Sequence, residues 1–349
     1  MFSFLDIHFI KKELGSLIGS RFEKLFQGEN FLFFQFSKEK KIFLKYIFGK
    51  AIFLADKEKN KEFFINKNER IKELESLIER FFLKDIQIYI GERVIDFIFE
   101  GFGKKRILRF QLFGKGNVVV FETNELNENK EIFNLNNLDS GLKKKLNFEL
   151  FCHEINNLEM SLEKILSNFF GFGKYYFNEF KARYNFNYSK KGNELNKKEK
   201  EELCNKIKEF LEQELSPFLG EKRPFPIKMI TQKVIKEYKT YSEALDDYFK
   251  PKSKLEKEIE NLEKSIKKIQ ENVEEMEKEA LTYEEMGNLI YNYYSFFEEL
   301  INLYEKYKSN KKIDEFFEKL KKKGFKIENN CLVIDFEELK KLLKTIYGY

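Results

Sequence analysis

Eight apolar residues, Leu255, Ile259, Leu262, Ile266, Ile269, Val273, Met276 and Ala280, follow one another at intervals of 4, 3, 4, 3, 4, 3 and 4. That alternation is the a/d seam of a coiled coil, because it keeps one apolar line on one face of a helix. The last of the four prolines, Pro251, stands just before it. This stretch is therefore committed to a helix roughly 40 Å long at about 1.5 Å per residue. A second series, Ile290, Tyr293, Phe297, Leu300, Tyr304 and Tyr307, is spaced 3, 4, 3, 4, 3. Its aromatic bulk suits a wider packing site than a thin two-stranded coil. The residues from 311 to the end read as a small α+β piece, with a helix ending near Gly324 and a hairpin over 325–336 turning at Glu328-Asn329-Asn330.

Upstream of Pro251 the chain is patterned differently. No proline precedes Pro217, and Pro217, Pro224 and Pro226 form a cluster. Residues 7–18 predict a short amphipathic helix with Ile7, Ile10, Leu14 and Leu17 on one face and Asp6 at the N-cap. Phe-rich runs at 31–37, 41–48 and 51–55 predict antiparallel strands. A helix over 68–82 follows, then strands at 85–90, 93–99, 106–112 and 117–122. The Asn-rich stretch 124–137 reads as a loop. Residues 140–212 turn helical, with 184–200 as an exposed connection, and the proline-flanked stretch 225–238 reads as strands expected to rejoin the first sheet. A helix starts at 241. The expected class is α+β: a β-rich domain over 1–137, a helical domain over 138–250 and a coiled-coil arm with a small middle domain over 251–349.

Composition sets broad limits. With 349 residues and 42% hydrophobic content the chain can fill two or three cores. Its 41 Phe and absence of Trp read as a coding bias. The net charge of +5 with 35% charged residues permits a polyanionic partner without demanding one. Cys152, Cys204 and Cys331 lie far apart, lack metal-ligand spacing and are odd in number, which argues against a disulfide framework and for a reducing compartment. Asp6 interrupts the N-terminus before a signal-peptide core forms, and no uncharged run approaches the roughly 18 residues of a membrane span. A cytoplasmic location is expected.

The strongest local motif is LSNFFGFGKYYFNEF at 166–180. Leu166 and Phe169 end one helix, Gly171-Phe172-Gly173 turn, and Phe177 and Phe180 face inward on the next. That is the pattern of a helix-hairpin-helix. Its glycines allow positive φ, and the N–H groups at the helix start favour an anion such as phosphate, with Lys174 beside it. The competing reading is a plain helical hairpin. Asp6 and the turn residues Glu92-Arg93 form a second candidate, since an acid beside a planar Arg fork can grip a base edge or ribose; the alternative is a cap and a hairpin turn. Lys104-Lys105-Arg106 with Arg109, Lys143-Lys144-Lys145, and Lys197-Lys198 with Lys200 matter for nucleic acid only if they share a surface. His8 and His153 are lone histidines, and no P-loop, dinucleotide fingerprint or metal-ligand cluster is present. Neither a catalytic residue nor a cofactor is expected.

Several pieces in order, LDIHFIKKEL with LIGSRFEKLFQ, IYIGERVIDFIF, LFGKGNVVVFETN, the GFG hairpin, TYSEALDDYF and GNLIYNYY, resemble the NFACT family, which includes RqcH and NEMF. The resemblance implies an N-terminal domain similar to formamidopyrimidine-DNA glycosylases, and a role in ribosome-associated quality control. The partners it implies are the large ribosomal subunit obstructed by peptidyl-tRNA, and tRNA recruited for template-free C-terminal tailing. It also implies tRNA contacts at Asp6, Glu92 and Arg93, where Glu92 replaces the family's Asp with one extra methylene. The returning second arm and C-terminal RNA-binding domain of the family are absent, and a separate chain would supply them.

Three functions compete on the sequence. The first is an RNA-binding adaptor of that pathway, with salt-dependent affinity. The second is a DNA glycosylase, disfavoured because Phe2 and Ser3 stand where such enzymes carry Pro and Glu. The third is a coiled-coil scaffold that binds proteins without recruiting tRNA; some bacterial relatives of the family carry a fibronectin-binding name.

Overall fold

The computed structural model describes residues 2–124, 128–142, 146–250, 254–322, 326–328, 331–333, 337 and 339–341. The chain divides into two compact units, Met1–Pro251 and Lys252–Tyr349. The first is built on β1 (Arg21–Gly28), β2 (Phe31–Ser37), β3 (Lys41–Ile47), β4 (Ala51–Leu54), β5 (Phe64–Ile65), β6 (Phe82–Ile88), β7 (Val94–Gly101), β8 (Lys104–Gln111), β9 (Asn117–Thr123) and β10 (Asn129–Asn134). They form one antiparallel sheet in the order β10-β9-β8-β7-β6-β1-β2-β3-β4, with β5 also pairing β1. In β2 both faces are buried from Phe31 to Phe36, so its Phe-rich run packs on both sides of the sheet, with Gln35 buried among the apolar side chains.

Helices complete this unit: α1 (Phe4–Leu14), α2 (Glu69–Ile78), α3 (Phe148–Glu154), α4 (Leu162–Lys164, continuing as a π-turn over Ile165–Phe169), α5 (Gly173–Arg183), α6 (Lys197–Leu211) and α7 (Tyr241–Tyr248). Two cores result. Ile7, Ile10 and Leu14 of α1 join the sheet residues and Tyr241 and Leu245 of α7 in the first. Phe4, Leu5 and Phe9 of the same helix join Phe170, Phe172, Phe180 and Phe210 in the second. One 11-residue helix thus faces two cores at once, which is why almost every apolar side chain on it is buried.

The α+β class is shown, and several details correct the sequence reading. The prolines do not return the chain to the main sheet. β11 (Phe218–Leu219), β12 (Pro224–Phe225) and β13 (Lys236–Glu237) make their own small sheet, and α7 is what re-enters the first core. Part of the supposed Asn-rich loop is the edge strand β10. Cys152 and Cys204 form a disulfide between α3 and α6, with Cα atoms 6.2 Å apart. The odd cysteine count hid a pair that the fold brings together.

In the second unit, α8 (Lys254–Asn292) is a 39-residue helix followed by α9 (Tyr294–Ser309), α10 (Ile313–Lys322), β14 (Lys326–Glu328) and β15 (Cys331–Val333). The two strands pair as a hairpin; Asn329-Asn330 of the expected turn lie outside the described residues. The aromatic seam finds its partner locally: Leu300, Tyr304 and Tyr307 pack on Phe316, Phe317 and Leu320 of α10.

Candidate functional site

The site of interest in the first unit is assembled around the start of α1. Ser3 caps this helix, and Asp6 is its third residue; the expected N-cap role of Asp6 is corrected to the acid half of a capping box. One carboxylate oxygen accepts from the Ser3 N–H at 2.7 Å and from the Ser3 hydroxyl at 3.0 Å. The other accepts from the Tyr176 hydroxyl at 2.6 Å, from the Tyr241 hydroxyl at 2.9 Å and from the Arg223 guanidinium. Asp6 itself is 0% exposed. Burial, reinforced by the Asp6 charge, pushes both tyrosine hydroxyls well above their ordinary values, so they stay protonated and donate. Burial opposes the charge on Arg223, but the Asp6 carboxylate and the two phenols more than offset it, and the guanidinium is held above its usual range. Asp6 therefore ties α1 to α5, α7 and the turn before β12.

Above this network the helical hairpin docks on the β6–β7 turn. Gly171 and Gly173 have φ of 87° and 68°, as the motif predicts. Their reasons differ. A Cβ on Gly171 would stand 2.9 Å from the Phe4 Cβ and 3.1 Å from the Gly91 Cα, and one on Gly91 would stand 2.2 Å from the Phe169 carbonyl oxygen. At Gly173 a Cβ would meet only the Ser3 Cβ at 3.5 Å, so the positive φ alone selects glycine there. Two glycine turns thus meet backbone to backbone, and the Phe4 N–H donates to the Gly171 carbonyl at 3.2 Å.

Beside this contact lies a cleft of about 500 Å³ with Arg93, Lys174 and Arg223 on its walls, together with Gly91, Gly171 and Gly173. No Asp or Glu is among its lining residues. The N-cap of α5 is Phe172, whose side chain cannot accept the orphan N–H groups of the first turn. The Arg93 guanidinium sits 5.7 Å over the Phe113 ring, and burial depresses its pKa. Chemically, the cleft is suited to an anionic group.

Of the residues singled out by sequence, Arg93, Gly171, Gly173 and Lys174 come together here. Asp6 lies beneath them, closed off from solvent, and Glu92 is not on the walls. Sequence reasoning missed Arg223, Tyr176 and Tyr241; a single Arg before Pro224 carries no motif. Within the first basic run, three cations have acidic partners. Lys104 and Arg106 both pair with Glu122, and Arg109 is buried in a two-pronged pair with Asp96 at 2.8 and 2.7 Å. Lys143-Lys144-Lys145 lie outside the described residues.

A larger cavity, about 1050 Å³, is lined by Asp56, Asn60, Ser242, Asp246 and other polar residues. At its edge Lys45 is wholly buried; its ammonium donates to the Asn60 side-chain oxygen at 2.6 Å, stands 3.7 Å from Asp246 and lies over the Phe31 ring at 5.1 Å. Burial brings it down to about 8 despite Asp246. His8 places Nε2 3.0 Å from the Leu211 carbonyl oxygen, and His153 is exposed. Among the described residues, no group of His, Cys, Asp and Glu is arranged to hold a metal ion.

The second unit offers a surface of another kind. Ile259, Leu262, Ile266, Ile269, Val273 and Met276 are between 47% and 69% exposed along α8. The heptad seam is thus open to solvent, whereas Leu300, Tyr304 and Tyr307 of α9 are half-buried against α10. No helix among the described residues is long and apolar enough to cross a membrane.

No protein-family model matches the chain, and no curated protein does. Among solved structures it is similar to the N-terminal part of the fibronectin/fibrinogen-binding protein FBPS of Streptococcus suis, with a TM-score of 0.54, 15% identity, 72% of this chain and 100% of that chain covered. It is also similar to the fibrinogen-binding protein of Staphylococcus aureus, with a TM-score of 0.53, 14% identity, 71% of this chain and 99% of that one covered. At these identities the likeness establishes the fold alone. It corrects the expectation of an NFACT-family adaptor acting on the obstructed large ribosomal subunit and tRNA: the matching folds belong to proteins named for fibronectin and fibrinogen binding, and no NFACT model matches. The tRNA reading of Asp6, Glu92 and Arg93 falls with the function on which it depended.

Proposed function

We propose that this chain is a non-catalytic protein-binding scaffold. The observation that carries the reading is the open heptad seam: six large apolar side chains in coiled-coil spacing, each 47% to 69% exposed. Contiguous exposed apolar surface on this scale marks an interaction site. The fold of the matching structures supports the same reading, because those proteins are named for binding other proteins. In the first unit, Gly171, Gly173 and Lys174 are assigned to contact with an acidic group of a partner.

The test is label-free binding of the full chain to immobilised fibronectin and fibrinogen, with Ile266→Asp/Ile269→Asp and Lys174→Glu beside it. Saturable binding that weakens in either variant supports the scaffold and says which surface carries it. Absence of binding to both proteins removes the support drawn from the fold. A cytoplasmic setting would leave Cys152 and Cys204 reduced and an oxidising one would keep them bonded, so thiol trapping in intact cells places the protein.

A further inference from the structure

The charges beside the α8 seam select what docks on it. The spacing puts Ile259, Ile266 and Val273 at a and Leu262, Ile269 and Met276 at d. The e and g positions that flank a coiled-coil interface are then Glu258, Glu263, Ser265, Gln270, Asn272, Glu277, Glu279 and Glu284. Five are acidic, three are neutral and none is basic. The lysines of the same stretch, Lys264, Lys267, Lys268 and Lys278, fall at f, b, c and f, on the opposite face. One of them, Lys267, makes an outer-face pair with Glu271 at 4.0 Å.

This pattern argues against a second copy as the occupant. A parallel pair of α8 helices would set Glu258 against Glu263 and Glu279 against Glu284; an antiparallel pair would set e against e and g against g. Both place like charges across the seam. The aromatic seam on α9 is already taken by Phe316, Phe317 and Leu320 of α10.

We propose that the α8 seam docks a helix of another protein that carries an apolar a/d stripe flanked by Lys or Arg at e and g. This rests on the protein-binding reading and adds the chemistry of the partner. The partner's basic flanks would meet Glu258, Glu263, Glu277, Glu279 and Glu284, while its stripe covers the apolar line from Ile259 to Met276.

The experiment uses the full chain and two fluorescein-labelled four-heptad peptides with Ile at a and Leu at d. One carries Lys at every e and g, the other Glu. Fluorescence anisotropy is read at low and high salt. The Lys peptide is expected to bind at least about tenfold more tightly, with the advantage shrinking as salt screens it. Ile266→Asp/Ile269→Asp is expected to abolish binding while circular dichroism shows the helix retained. Glu258→Lys/Glu263→Lys/Glu277→Lys/Glu279→Lys is expected to reverse the preference. Equal binding of the two peptides overturns the charge selection and leaves the scaffold standing. Self-association of the chain through the seam, read by sedimentation, overturns the proposal in favour of a second copy. If neither peptide binds, the proposal fails, and the scaffold is judged by its fibronectin and fibrinogen assay alone.

Discussion

Replacing Asp6 with Asn keeps the shape of the side chain and removes its charge. The Asn carbonyl can still accept at the helix cap, but it cannot neutralise Arg223, whose side chain is only 15% exposed. Removing one partner of a buried ion pair costs about 3–5 kcal/mol, because the other charge is left uncompensated. The hydroxyls of Tyr176 and Tyr241 also lose an ionised acceptor. That loss overlaps with the first and is not added in full. Asp6→Asn is therefore expected to cost about 3–5 kcal/mol, and Asp6→Ala about 1 kcal/mol more through the hydrogen bonds lost at Ser3. Total stabilities run to about 5–15 kcal/mol, so Asp6→Ala brings the first unit close to unfolding. With 17 Tyr and no Trp in the chain, urea unfolding followed by far-ultraviolet circular dichroism is the natural assay. Adding Arg223→Met to Asp6→Asn should recover about half of the loss, since the orphaned charge is then gone. A cost below about 1 kcal/mol for Asp6→Ala would refute the network as a structural tie. So would an Arg223→Met effect that merely adds to that of Asp6→Asn.

His8 has its folded pKa lowered by burial to about 4 from 6.5. Its contribution to stability is thus complete above about pH 6.5 and is lost as pH falls toward 4; His8→Gln should flatten that part of a stability-against-pH curve. Lys45 repeats the same sign in a higher window: burial brings it to about 8 from 10.5, so its contribution to stability rises as pH climbs from about 8 to 10.5. Lys45→Met should remove that rise in thermal melts taken across the range. Gly91→Ala places a Cβ 2.2 Å from the Phe169 carbonyl oxygen at a φ of 78°. It is expected to cost at least about 2 kcal/mol, with the Phe4 amide exchanging faster with solvent hydrogen as the docked turn lifts. Unchanged stability and exchange would mean that the two turns do not bear on one another.

The elements legible in the sequence were those whose pattern is set locally. β2 and β3 announce themselves through apolar runs, and the GFG turn through glycines that positive φ demands. β1 escaped notice because a bulge between Phe22 and Lys24 breaks its alternation; its burial pattern places Phe22, Leu25 and Gly28 inward, a spacing of three that suits a helix better than a strand. β10 was hidden because most of an edge strand faces solvent. The destination of 225–238 was invisible for another reason: two-residue strands carry too little pattern to name a partner. At the candidate site, the cleft's glycines, Lys174 and Arg93 could be read from motifs and turns. Arg223 and the two tyrosines could not, because what gathers them is a single carboxylate far away in sequence. The open seam was visible as a periodicity, but its exposure was not, since nothing in the spacing says that α10 would take the neighbouring seam instead.

The partners of Asp6 lie 170, 217 and 235 residues further along the chain. During synthesis α1 therefore emerges long before the groups that neutralise it. At about 5–20 residues per second, the ribosome takes on the order of ten seconds or more to reach Tyr241. Until then the Ile7, Ile10 and Leu14 face of α1 lacks the last part of the first core, Tyr241 and Leu245. The first unit therefore closes late, with the start of the chain waiting on its own distant end, and nascent chains cut short before α7 should be recognised by chaperones as unfinished.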